Sequence, residues 1–362
     1  MNQSPPSVLI MAGGTGGHIF PGLAVADLFI RHGVKVRWLG AEGGMECGQV
    51  SSHGIEVDKV RISGLRGKGI LSWLTMPFRL TRAVLDARAS MIRNRPSCAL
   101  SFGGYAAGPG GIAAWLGGIP LVVHEQNQVP GMTNRVLASM AKCVLQAFPG
   151  TFPVRLKATT CGNPVRRSVA GLPEPGTRFF QRIGQPRLLV TGGSQGARSL
   201  NRIVPQALAL LPRELQPKVC HQSGKADFQD TSEAYRQAGI TAEVHEFIDG
   251  MADAYAWADL VICRAGALTI SELAAAGTGA ILVPYPHAVD DHQTRNAAYL
   301  VDSGAAEIMP ETDLQAQNLA NSLTRLLSNR PKMLEMAVAA RAVAVSNATE
   351  QVVSACSQWV SK

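Results

Sequence analysis

His18 closes the run Gly13-Gly14-Thr15-Gly16-Gly17-His18, which follows the apolar residues 8–12. An imidazole at a turn into a helix sits where the dipole disfavours its protonated form, and a neutral imidazole can act as a general base. In the same turn Thr15, Gly16 and Gly17 offer backbone N–H groups to an anion. The bland reading is that His18 only caps or packs the turn. Glu125 belongs to a second polar cluster. It lies in His124-Glu125-Gln126-Asn127, just after Leu121-Val122-Val123, and Ser101-Phe102-Gly103-Gly104-Tyr105 ends another apolar run in the same way. Polar residues at the carboxyl ends of parallel strands are where open α/β sheets place ligands, so these three turns are expected to line one pocket.

The second half repeats the pattern. Thr191-Gly192-Gly193-Ser194-Gln195-Gly196-Ala197 follows Leu188-Leu189-Val190 and precedes a helical pattern. Arg264-Ala265-Gly266-Ala267-Leu268-Thr269-Ile270-Ser271-Glu272 follows Leu260-Val261-Ile262-Cys263. The small residues permit close backbone approach, and a helix start near Leu268 can stabilise a diphosphate. Glu272, about a turn further on, can accept hydrogen bonds from two vicinal hydroxyls of a ribose. Gln293 offers an amide to sugar hydroxyls, and Asp290 and Asp291 read as helix caps. Neither glycine turn ends in the Gly-Lys-Ser/Thr of a phosphate-binding NTPase loop. The first also departs from G-x-G-x-x-G, which leaves a nicotinamide-dependent oxidoreductase poorly supported.

Positioning these groups requires strands that stop where the polar residues begin. Apolar runs at 8–12, 35–39, 98–102, 120–124 and 143–147 in the first half, and at 187–191, 218–222, 243–247, 260–263 and 279–284 in the second, alternate with helical patterns such as 21–31, 198–211 and 269–276. This alternation predicts parallel sheets covered by helices. A chain of 362 residues is comfortable for two domains. The junction is expected near Cys161-Gly162-Asn163-Pro164, giving domains at 1–163 and 164–345. A terminal helix at 346–362 could pack back on the first domain.

Composition narrows the class. Apolar residues make up 46% of the chain. No run approaches a membrane span, and residues 1–7 lack signal-peptide features, so a cytosolic chain is expected. The seven cysteines show no C-x-x-C pair and read as reduced thiols, with no metal site. The net charge of +8 is lopsided: residues 1–163 hold 16 Lys+Arg against 7 Asp+Glu, and residues 164–362 hold 18 against 19. Within 61–95 there are eight basic residues and one acid, Asp86. Ile70, Leu71, Trp73, Leu74, Met76 and Phe78 lie among Arg66, Lys68, Arg79 and Arg82, the composition of an interfacial contact, with Trp115 a further candidate. The same pattern would fit an amphipathic helix whose apolar face is core.

Taken in order, the two glycine turns, His124-Glu125-Gln126-Asn127, Gly162-Asn163-Pro164-Val165-Arg166, Ala267-Leu268-Thr269-Ile270-Ser271-Glu272 and Gln293 resemble the MurG family of bacterial cell-wall glycosyltransferases. The resemblance spans nearly the whole chain. It implies an α/β GT-B fold of two Rossmann-like domains with the active site in a cleft between them. The implied chemistry is inverting transfer of N-acetylglucosamine from UDP-N-acetylglucosamine to the 4-hydroxyl of undecaprenyl-pyrophosphoryl-N-acetylmuramyl-pentapeptide, with no cofactor and no metal. Ile248 and Arg166 would flank the uracil, and Glu272 would take the ribose. Ser194 and the backbone from Ala267 through Leu268, Thr269, Ile270 and Ser271 would hold the diphosphate. Asn127 and Gln293 would contact the sugar. His18, with Glu125 second, would accept the acceptor's proton, and Tyr105 and His124 would lie on the acceptor side. His292 stands where the family often has Gln. The enzyme would work peripherally on the cytoplasmic face of the inner membrane, against anionic lipids.

Three other readings stay open at this level. One is a transferase with another lipid or small-molecule acceptor. Another is a UDP-sugar epimerase of the same two-domain plan, which would need no lipid-facing patch. The third is a nucleic-acid binder, for which the glycine-rich basic segment carries no accompanying motif, so no nucleic-acid partner is expected. Protein partners are not legible.

Overall fold

The longest apolar runs become strands buried on both faces, and they pair only in parallel, as helix-covered strands must. The computed structural model describes residues 6–62, 75–180, 182–193 and 196–360. They divide into two α/β units, Met1–Arg166 with Asn347–Lys362, and Arg167–Ser346.

In the first unit the strands are β1 (Ser7–Ala12), β2 (Lys35–Ala41), β3 (Glu56–Val60), β4 (Cys98–Gly103), β5 (Leu121–Glu125), β6 (Cys143–Gln146) and β7 (Thr159–Thr160). Their order is β3-β2-β1-β4-β5-β6-β7. The helix Gly16–Arg31 covers one face together with Ala348–Val360, which supplies Val352, Val353, Cys356 and Val360 to a core shared with Ile10, Phe29 and Trp38. On the other face Met76–Asn94 and Ala107–Leu116 pack against one another and close a core around Met11, Leu39 and Val123.

The second unit has β8 (Arg187–Thr191), β9 (Lys218–Gln222), β10 (Ala242–His245), β11 (Leu260–Cys263), β12 (Gly279–Leu282) and β13 (Ala306–Ile308), ordered β10-β9-β8-β11-β12-β13. In each sheet the strand order reverses beside the first strand, between β1 and β4 and between β8 and β11. Ligands of doubly wound sheets bind at the carboxyl side of that reversal. The four loops that leave those strands carry the glycine turns, Tyr105 and the Arg264–Gly266 segment.

Three boundaries differ from the sequence expectation. The first helix starts at Gly16 rather than near 21, so Pro21 lies inside it and removes the N–H that would have bonded back to Gly17. The helices expected at 198–211 and 269–276 run Arg198–Ala209 and Ala267–Ala276. Strands β3, β7 and β13 were not anticipated, and each is the edge of its sheet.

Candidate active site

In the first unit, β1 ends under a glycine turn packed closely by its neighbours, with a Cβ on Gly13 coming 2.4 Å from Glu46 Oε1. A Cβ on Gly104 would come 2.2 Å from the Gly13 carbonyl oxygen, so the turns after β1 and β4 interlock backbone to backbone. The buried Glu46 carboxylate fixes the same turn from below, accepting from Ala41 N at 2.7 Å and Gly14 N at 3.3 Å. Thr15 is the helix N-cap, its side chain makes no capping bond, and no acid lies in the first turn, an arrangement that favours an anion there. The Tyr105 ring borders Gly14 and is half exposed.

His18, in that first turn, is half-buried, and its Nδ1 lies 2.8 Å from Gln126 Oε1. Gln126 is itself buried and bonds to His124, donating from Nε2 to the ring Nδ1 at 3.1 Å and to the carbonyl at 3.0 Å. His124 Nε2 reaches the Gly162 carbonyl at 2.9 Å. This corrects the expected place of His124. The ring is fully buried with both nitrogens engaged, and burial pushes its pKa down to about 4, so it meets no ligand directly.

Glu125 changes role as well. Its Oε1 accepts from Asn127 N at 3.0 Å and Asn127 Nδ2 at 3.2 Å, and its Oε2 from Gly131 N at 3.1 Å and Asn134 Nδ2 at 3.0 Å. A carboxylate has about four acceptor positions, and this buried one meets four donors, which staples the loop that follows it. The staple shapes the 125–131 segment and holds Asn127, the expected sugar contact. Arg166 lies in this unit with its guanidinium 5.6 Å over the Phe20 ring.

In the second unit the glycine turn is equally tight. A Cβ on Gly196, whose φ is +75°, would come 2.0 Å from the Ser223 carbonyl oxygen. Gln222, which the sequence reading passed over, bridges two loops. Its Nε2 donates to Gly193 O at 2.9 Å and its Oε1 accepts from Ile248 N at 2.9 Å. The Ile248 N–H expected to meet uracil is thus held by a side-chain amide. Arg264 ties the ends of β11 and β12 to the helix Arg198–Ala209, donating to the Val283 and Pro284 carbonyls and to Ser199 Oγ, with its guanidinium 5.4 Å from the Tyr285 ring centre.

The helix Ala267–Ala276 starts after Gly266 with no acid in its first turn, the arrangement that favours a diphosphate. Glu272, on its next turn, is buried and accepts from Tyr255 OH at 3.2 Å. The Ile270 side chain is fully buried in the core, and the Ser271 hydroxyl bonds back to Ala267 O at 3.0 Å, leaving only their backbones for a ligand. Gln293 Oε1 accepts from Tyr285 N at 2.9 Å, which turns the amide so that its NH2 end remains as donor. Asp291 stands at the N-cap of His292–Val301 but accepts from Thr294 Oγ1 at 2.7 Å rather than from backbone, and both Asp290 and Asp291 have positive φ. The capping reading thus holds for position and not for hydrogen bonding. Ser194, Arg66, Lys68, Ile70, Leu71, Trp73 and Leu74 lie outside the described residues.

Among the described residues of the basic segment, Met76 opens the helix Met76–Asn94, in which Phe78, Leu85 and Ile92 are exposed at a seven-residue spacing, opposite the buried Ala83, Ala87 and Met91. Arg79, Arg82, Arg88 and Arg93 flank that stripe. Trp115, Leu116 and Met132, on neighbouring helices, are exposed too. The seven-residue repeat was the signal that Leu85 and Ile92 belonged with Phe78. No helix among the described residues is long and apolar enough to cross a membrane.

The profile of the glycosyltransferase family 28 N-terminal domain matches residues 8–146, and that of the family's C-terminal domain matches residues 187–352. A relative from Marinobacter nauticus, named UDP-N-acetylglucosamine–N-acetylmuramyl-(pentapeptide) pyrophosphoryl-undecaprenol N-acetylglucosamine transferase, is 52% identical over 98% of this chain and 98% of its own. The crystal structure of Acinetobacter baumannii MurG matches with TM-score 0.84 at 40% identity, covering 98% of this chain and 100% of that one. A UDP-GlcNAc 2-epimerase from Neisseria meningitidis matches with TM-score 0.65 at 12% identity, covering 96% and 98% of the two chains, a likeness of fold alone. The fold is GT-B, built from two Rossmann-like units, and the chain belongs to glycosyltransferase family 28, in its MurG branch.

Proposed function

We propose that this protein transfers N-acetylglucosamine from UDP-N-acetylglucosamine to undecaprenyl-pyrophosphoryl-N-acetylmuramyl-pentapeptide, a step of peptidoglycan synthesis. The near full-length similarity at 52% identity carries this reading. The two-domain fold alone does not, since an epimerase shares it at 12% identity. In the reaction the muramyl 4-hydroxyl attacks the anomeric carbon from the face opposite UDP. The new O–C1 bond forms as the C1–O bond to the diphosphate breaks, and the electron pair leaves with UDP.

The side chains take their roles from their surroundings. His18 accepts the hydroxyl proton on Nε2, the nitrogen not engaged with Gln126, a function that contributes roughly 10²–10⁴-fold. Tyr105 lines the acceptor side. The loop held by Glu125 presents Asn127 to the sugar, and Gln293 donates to it. Glu272 takes the ribose hydroxyls. The turn at 192–197 and the start of Ala267–Ala276 stabilise the departing diphosphate through oriented N–H groups. Arg166 and Ile248 flank the uracil, Arg166 leaving its stack on Phe20 and Ile248 contributing backbone.

Residues 1–163 form the acceptor and membrane part, residues 164–345 the donor part, and 346–362 the returning helix. The stripe of Phe78, Leu85 and Ile92 with its arginines lies against the cytoplasmic face of the inner membrane. Each cation near an anionic surface contributes ~1 kcal/mol. The enzyme thereby serves cell-wall growth, and with it shape and division. Mass spectrometry of products from UDP-N-acetylglucosamine, with and without the undecaprenyl-linked acceptor, tests the activity. The expected result is one N-acetylglucosamine added to the lipid together with UDP release. An epimer formed from donor alone would replace the transferase reading with an isomerase.

A further inference from the structure

Four groups in the first unit form a chain of hydrogen bonds whose directions are forced. It begins at the Gly162 carbonyl, which can only accept, so His124 Nε2, 2.9 Å away, carries a proton. His124 is fully buried and stays neutral, which leaves its Nδ1 as an acceptor. The Gln126 amide nitrogen lies 3.1 Å from that Nδ1 and 3.0 Å from the His124 carbonyl oxygen. Two acceptors on one side fix which end of the amide is NH2, an assignment that is otherwise ambiguous. Gln126 is also held through its own carbonyl, which accepts from Asn163 Nδ2 at 3.0 Å. The amide oxygen therefore points at His18 Nδ1, 2.8 Å away, and can only accept from it.

We infer that Gln126, oriented by His124 and the Gly162 carbonyl, is a positioning residue that fixes the tautomer of His18, placing the proton on Nδ1 and the lone pair on Nε2. A free imidazole slightly prefers the opposite tautomer, in which Nε2 carries the proton and could not receive another. The relay thus turns a half-buried surface histidine into a base aimed through one nitrogen. The Gly162-Asn163 pair serves the relay twice: the glycine carbonyl starts the chain and the asparagine clamps its middle. The inference rests on the reading of His18 as the base, and the tautomer can be measured whether or not that reading holds.

Nitrogen-15 NMR of the histidine-labelled full chain, with His18 assigned by comparison with the His18→Gln protein, reads the tautomer directly. The expected signature of the neutral ring in the native protein is a pyrrole-type Nδ1 and a pyridine-type Nε2. In Gln126→Leu the signal should move toward the Nε2-protonated form. Turnover should fall on the order of 10- to 100-fold, the scale at which loss of an imidazole's orienting partner acts, with the KM for UDP-N-acetylglucosamine within about twofold of native, the spread expected when no donor contact is lost. A native His18 protonated on Nε2 overturns the relay, as does a folded Gln126→Leu protein with native tautomer and turnover. If Gln126→Leu does not fold, the native signature decides alone. Normal turnover in His18→Ala would remove the base reading instead, and leaves the tautomer result standing or falling by itself.

Discussion

Among the described residues each unit buries one histidine near the carboxyl end of a strand, and the two are wired differently. In the first, His124 passes its hydrogen bond to Gln126 and so to the half-buried His18. In the second, His221 is closed in, its Nδ1 2.8 Å from Tyr235 OH and its Nε2 3.0 Å from Asn201 Oδ1, with Asn201 anchored on the Ser223 carbonyl. A glutamine follows closely in both. Gln126 ends on a side chain that can titrate, whereas Gln222 ends on two backbones, Gly193 and Ile248. The same pair of residue types therefore holds an imidazole in one place and two backbone loops in the other. What separates them is whether the last partner can change its proton.

The comparison breaks most sharply at His18. His18→Ala should lower turnover roughly 10²–10⁴-fold while UDP affinity measured by calorimetry stays near native; near-normal turnover would move the base elsewhere. Glu272→Ala should do the reverse. Loss of hydrogen bonds to a charged acceptor costs about 1.5–3 kcal/mol, so UDP affinity should drop on the order of 10- to 100-fold, with turnover at saturating donor largely kept. Unchanged affinity in the folded variant would take Glu272 out of the donor site.

A third test uses the buried histidines themselves. Burial lowers the pKa of His124 to about 4 and that of His221 to about 3, against an ordinary 6.5. The unfolded chain binds those protons first. The stability they confer is thus complete above pH 6.5 and is lost as pH falls toward 4 and 3. Urea unfolding between neutral pH and pH 5 should show a loss of up to ~1.4 kcal/mol per pH unit for each histidine, and His221→Phe should flatten the transition of the second unit alone. Equal flattening of both transitions would mean that the two histidines are not independent. The smallest expected effect is at the surface. Phe78→Ser with Leu85→Ser should weaken binding to anionic vesicles several-fold at high salt, and Arg82→Gln with Arg88→Gln mainly at low salt, because only the charges are screened. Co-sedimentation across a salt series reads both, and parent-like sedimentation of both variants would leave this stripe facing water.

The central strands were legible because a strand buried on both faces is a continuous apolar run, as in Val8-Leu9-Ile10-Met11 or Leu260-Val261-Ile262-Cys263. The missed strands are edges. β3 reads Glu-Val-Asp-Lys-Val and β7 is two threonines, since an edge needs no second apolar face and gains from charge. Candidate residues could be named where a polar group follows a strand closely, as His18 follows β1 and Glu272 follows β11. The site was not legible where a role depends on what surrounds a side chain. Glu125 looked like a base, and only the folded chain brings it Gly131 and Asn134. Gln222 looked like a strand residue, and its partners lie 26 and 29 positions away.

The helix Ala348–Val360 belongs to the core of the first unit although all of Arg167–Ser346 is threaded before it. During synthesis the second unit is complete and contiguous while the first still shows the bare face of its sheet, with Ile10, Phe29 and Trp38 waiting for Val352 and Val353. Domains generally fold as units and from the N-terminus onward as the chain emerges. This chain inverts that order: the part that is made first is finished last, and a ribosome that stops short of residue 348 releases a second unit with its sequence complete, joined to a first unit whose core lacks its closing helix.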